Sequence, residues 1–92
     1  MTEVTIRIPT PLRGFVGGQD QVAVPGATVR DALSALTAGQ AAFQDRLFTA
    51  EGELRRFVNV YLGREDVRRL SGLDTALSAG AILTVMVALA GG

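Results

Sequence analysis

Val4, Ile6 and Ile8 alternate with Thr5 and Arg7 at the start of the chain. Period-two alternation of this kind predicts a strand with one buried face. Pro9 and Pro11 end it, residues 14–18 read as a glycine-containing loop, and residues 21–24 form a second strand stopped by Pro25-Gly26. The two make an N-terminal hairpin with a long connection. The period then changes. Thr28 offers an N-cap with Asp31 three residues on, at the end of a helix where a carboxylate is favoured. Val29, Ala32, Leu33 and Leu36 follow at helical spacing, which predicts an amphipathic helix of about three turns closed by Gly39. Phe43 and Leu47 are spaced for a second, short helical turn, and residues 51–53 form an exposed connection.

The strongest strand signal is Phe-Val-Asn-Val-Tyr-Leu at residues 57–62, ended by a turn at residues 63–66. Val67 begins a short edge strand, and residues 70–77 read as an irregular turn that buries Leu73 and Leu77. Residues 82–89 are apolar on both faces, as expected of a strand at the centre of its sheet. The order β, β, α, β, short β, β gives an α+β fold, a mixed sheet of about five strands around one main helix. Its first and last strands are parallel neighbours. That is the β-grasp, ubiquitin-like arrangement, expected over residues 1–88, with residues 89–92 a flexible tail.

Composition narrows the chemistry. Apolar residues make up 48% and charged residues 20%, as in a folded domain and unlike a disordered one. Nine arginines balance nine acids, so no net field favours nucleic acid or a membrane surface. The chain has no Cys and no His, which removes disulfides, thiolate nucleophiles, the commonest metal ligands and the commonest neutral-pH base. Histidine-dependent triads and zinc sites are excluded, no metal is expected, and no partner base is evident for Ser34, Ser71 or Ser78. Lys is also missing. The N-terminal Met-Thr-Glu-Val-Thr-Ile-Arg lacks the features of a signal peptide. Residues 75–92 carry no charge, but Thr75, Ser78, Gly80 and Thr84 interrupt them, which favours a turn and a buried strand over a membrane span. A soluble cytoplasmic protein is expected.

What remains is the tail Leu89-Ala90-Gly91-Gly92. Glycine has no Cβ, so an extended Gly-Gly fits a channel too narrow for other dipeptides. Such a channel could present the Gly92 carboxylate to the α-phosphate of ATP. The acyl-adenylate so formed is open to attack at the Gly92 carbonyl by sulfide, a persulfide, a thiol or an amine. A partner would supply the catalysis.

Several segments resemble the ubiquitin-like small sulfur carriers, which include the small subunit of molybdopterin synthase and the thiamine-pathway carrier. They are Leu12-Arg13 with Gly17-Gly18, residues 26–36, Arg-Phe-Val-Asn-Val-Tyr at 56–61, Glu-Asp-Val-Arg at 65–68, Gly72-Leu73, and the closing Leu89-Ala90-Gly91-Gly92. The blocks at 56–61 and 65–68 are most similar to the branch that feeds cysteine biosynthesis. The resemblance implies a protein cosubstrate that is not itself an enzyme and binds no cofactor. Its Gly92 would be adenylated by an E1-like activating enzyme using ATP, converted to a thiocarboxylate, and used by a sulfur-accepting biosynthetic enzyme. The free chain is expected to be a monomer. Two positions depart from the family pattern: Ala81 stands where an acid is usual, and Val87 where proline is frequent.

For docking, Val58, Val60, Leu83 and Val85 should face the helix, leaving Asn59, Tyr61, Thr84 and Met86 on the outer face with Phe57 nearby. Met and Tyr suit adaptable contacts. Arg55, Arg56, Arg68 and Arg69 read as solvated. Two other functions stay open at this stage: a modifier joined through Gly92 to lysines of target proteins, and a non-covalent interaction module. Molybdopterin, thiamine or a secondary metabolite could also receive the sulfur.

Overall fold

The alternation at the start of the chain folds as strand β1 (Glu3–Arg7), with Val4 and Ile6 buried and Glu3 and Arg7 exposed. It pairs antiparallel with β2 (Gln21–Pro25), Val4 opposite Val24. The structure, a computed structural model, describes residues 2–88. Within them β5 (Ile82–Val87) lies parallel to β1 and antiparallel to β3 (Val58–Leu62), and the short β4 (Glu65–Asp66) closes the far edge. The order is β2-β1-β5-β3-β4, so the parallel pair sits at the middle of a mixed sheet. This is the expected β-grasp, an α+β fold of ubiquitin-like topology.

Helix α1 (Val29–Leu36) crosses the inner face and buries Val29, Ala32, Leu33 and Leu36 against Ile6, Val58, Val60, Leu83 and Val85 of the core. The Thr28 hydroxyl caps it, accepting the Asp31 N–H at 3.2 Å. Eight residues make just over two turns, fewer than the three expected. At its C-cap the Thr37 hydroxyl donates to the Leu33 carbonyl at 2.9 Å, and the Thr37 N–H reaches the same oxygen at 3.1 Å, two residues ahead of Gly39. Helix α2 (Ala41–Leu47) is the second helical turn and buries Phe43 and Leu47. Phe43 stacks on Phe15 with ring centroids 4.7 Å apart and planes 8° from parallel.

Three local expectations are corrected. The 14–18 loop is mostly the end of a 3-10 helix, Thr10–Val16, which buries Leu12 and packs Phe15 and Val16 against the core. Pro9 follows the end of β1 and sits at the N-cap of this helix, and Pro11, in its first turn, has φ preset and no N–H to satisfy. The edge strand expected from Val67 is instead Glu65–Asp66. The Asp66 carboxylate accepts the Arg68 N–H at 2.9 Å and caps a 3-10 turn, Val67–Arg69, that draws the backbone off the sheet. Leu77 is buried as expected, but Leu73 only in part. Ile82–Val87 matches the expected last strand, whose continuation to Leu89 lies outside the described residues.

Candidate functional site

The tail Leu89, Ala90, Gly91 and Gly92 lies outside the described residues. What precedes it is well defined. The Ala88 N–H donates to the Phe57 carbonyl at 2.8 Å, extending the β3–β5 ladder one residue beyond β5. Because β5 is the middle strand, the chain reaches residue 88 at the end of the sheet where β1 finishes and β3 begins.

The outer face of the sheet forms as the alternation requires. Val58, Val60, Leu83 and Val85 are buried towards α1. Asn59 pairs with Met86, and Tyr61 with Thr84, on the opposite side. Phe57, immediately before β3, is 44% exposed and Met86 is 52% exposed. The five residues expected on this face share it, with Phe57, Asn59 and Met86 nearest residue 88 and the Tyr61–Thr84 pair two steps further along the ladder. Ile82, 49% exposed, was not among them. Counting back by two from Thr84 and Met86 would have found it; its apolar character suggested the interior instead. Leu70, 45% exposed, lies apart from this row, at the end of the turn that follows β4.

The arginines are less free than their composition implies. Arg68 donates through Nη1 to Asn59 Oδ1 and through Nη2 to the Arg55 carbonyl, both at 2.8 Å. Arg55 in turn donates through Nε to the Asp45 carbonyl on α2. Arg68 is solvent-exposed, as the sequence predicts, and Arg55 partly so, yet both also tie neighbouring segments together. Arg68 joins the 65–68 block to the 56–61 block, and it occupies the Asn59 side-chain oxygen. Of the Asn59 carboxamide, the NH2 group is left for a partner.

Chemistry inside the fold is limited. The two buried polar side chains, Thr37 and Thr75, both have hydrogen-bond partners, and no buried side-chain N or O is orphaned among the described residues. Among those residues no cluster of three His, Cys, Asp or Glu could hold a metal ion, and no helix is long and apolar enough to cross a membrane. The described residues offer a mixed surface that ends beside residue 88.

Comparison with known proteins points the same way. Residues 6–92 match the ThiS family. The chain is 43% identical over 91 residues to the sulfur carrier protein CysO of Mycobacterium tuberculosis, covering 97% of this chain and 98% of that one. The fold superposes on a chain of the Amycolatopsis orientalis BexX/CysO complex with a TM-score of 0.87 at 42% identity, covering 97% and 99% of the two chains. SAMP1 from Haloferax volcanii is similar at a TM-score of 0.80 and 30% identity, over 98% and 99%.

Proposed function

The chain belongs to the ThiS family, and from that premise we propose that it is a sulfur carrier whose cargo is borne on the C-terminal carbonyl of Gly92. A carboxylate oxygen of Gly92 attacks the α-phosphorus of ATP in the active site of an E1-like enzyme, and pyrophosphate leaves. Hydrosulfide then adds to the acyl-adenylate carbonyl, AMP departs with its electron pair, and a proton is released. The thiocarboxylate is a soft nucleophile for a sulfur-accepting enzyme, with cysteine synthesis in the cytoplasm the preferred destination. The carrier contributes docking and reach, with no cofactor of its own.

The observation that supports this most is the departure of the chain from β5. The middle strand delivers residue 88 to the sheet end beside Phe57 and Met86, so an apolar docking face and the start of the tail adjoin each other. The likeness to CysO, including a chain of the BexX/CysO complex, favours a partner enzyme for the loaded carrier. Intact mass spectrometry after incubation with ATP, sulfide and the adenylating enzyme is expected to show one oxygen replaced by sulfur at Gly92. Absence of that species under every activation condition overturns the reading.

A second reading, conjugation of Gly92 to lysines of other proteins, is favoured by the 30% identity to SAMP1. Its signature is an isopeptide between the Gly92 carbonyl and a target lysine, seen as a branched peptide that after trypsin carries residues 70–92, since Arg69 is the last basic residue. The chain itself has no lysine to receive such a link.

A further inference from the structure

We propose that a cleft beside Met86 receives a carboxylate side chain from the enzyme that takes the tail, a polar anchor for docking that rests on the sulfur-carrier reading. The cleft lies between the end of β1, the 3-10 helix and β5, and is lined by Arg7, Pro9, Arg13, Asp20, Thr84 and Met86. Arg7 closes β1 opposite Thr84, which pairs on its other side with Tyr61. The cleft is therefore continuous with the outer face already described.

Two arginines line this small space, Arg7 exposed and Arg13 half-buried. The Nε of half-buried Arg13 is held by the Ile8 carbonyl at 3.0 Å, which fixes the stem and leaves the terminal Nη groups for a ligand. Asp20 is the one carboxylate in the lining, yet it forms no ion pair within 4.0 Å with the side chain of either arginine. Among the described residues the only ion pair is Arg30–Asp74, which involves other elements. The cleft thus carries an uncompensated positive charge on a chain whose net charge is zero. An incoming carboxylate would be attracted by both cations and could accept paired N–H bonds from an arginine fork. Pro9 and Met86 give the same cleft apolar walls, which suit a protein loop better than a free anion. Two arginines beside an aspartate are too few to follow a phosphate backbone.

The test uses the full chain and the adenylating enzyme, with affinity measured by calorimetry at low and high salt. Arg7→Glu is expected to weaken binding at least about tenfold at low salt and to flatten the salt dependence. Arg64→Glu, in the turn between β3 and β4, should stay within about twofold. Equal affinity of wild type and Arg7→Glu at low salt overturns the proposal. If thermal melting shows that Arg7→Glu fails to fold, Arg7→Gln decides by the same criterion, with a smaller loss expected. Thiocarboxylate formation by wild type in the same samples separates the two ideas. Its absence sinks the carrier reading, whereas normal loading with unchanged Arg7→Glu affinity sinks only the cleft.

Discussion

Gly26 shows how one residue can fix the spacing of two elements. A Cβ built there would lie 2.7 Å from the Ala32 backbone nitrogen, 2.8 Å from its Cα and 2.9 Å from its Cβ. These obstacles are mainly backbone, so relief requires α1 to move away from the end of β2, not a rotamer change. Gly26→Ala is expected to cost about 1–3 kcal/mol, read as a lower denaturant midpoint at unchanged slope. A midpoint equal to wild type would mean that the helix yields freely. In the sequence Gly26 registered only as a turn residue after Pro25, because a close approach between segments leaves no local signal. Arg68 was illegible for the same reason. Its partners, Asn59 and the Arg55 carbonyl, lie nine and thirteen residues away, and they meet only after β3 and the 3-10 turn have formed. The cap at Thr28 was legible because both its groups lie within four residues.

At the scale of the element, β5 separates stability from recognition by alternation alone. Leu83 is fully buried beneath α1, and Met86, three positions on, is exposed on the outer face. Leu83→Ala should cost about 2–5 kcal/mol of stability. Met86→Ala should change stability by no more than about 0.5 kcal/mol. The functional effects are expected in the reverse order: at a temperature where both variants are folded, Met86→Ala raises the KM for the adenylating enzyme and leaves kcat close to wild type, whereas Leu83→Ala retains the wild-type KM. Thermal melts and steady-state loading rates check the pair together, and an unchanged KM for Met86→Ala removes this face from docking. The strand's type and central position were legible because a run apolar at nearly every position suits a strand flanked on both sides. The exposure of Met86 followed from the alternation, whereas that of Ile82 was harder to read, since hydrophobicity alone cannot distinguish a core face from a contact face. The start of the 3-10 turn at Val67 depended on a side-chain bond from Asp66 that competes with the regular strand pattern.

For the whole molecule, the question is whether fold and cargo site are independent. Among the described residues the buried cluster runs from Val4 to Val85, the strand pairings span residues 3–87, and Ala88 adds one further bond to the β3–β5 ladder. The division expected from the sequence, a domain over residues 1–88 and a tail over 89–92, makes a direct prediction: a chain truncated after Ala88 should melt within about 1–2 °C of the full chain, since the measured shift tracks the free energy lost. The same truncation removes the carboxylate proposed to carry sulfur, and thiocarboxylate formation should vanish. Affinity for the adenylating enzyme should fall in part, because Phe57, Met86 and the Arg7 cleft survive while the channel contacts of the tail are lost. This three-way outcome discriminates between mechanisms. A truncated chain that melts much lower would make residues 89–92 part of the domain. One that binds as tightly as wild type would confine recognition to the sheet and leave the tail only its chemistry. One that does not bind at all would assign recognition to the tail, and the outer face would then be a surface without a partner in this reaction.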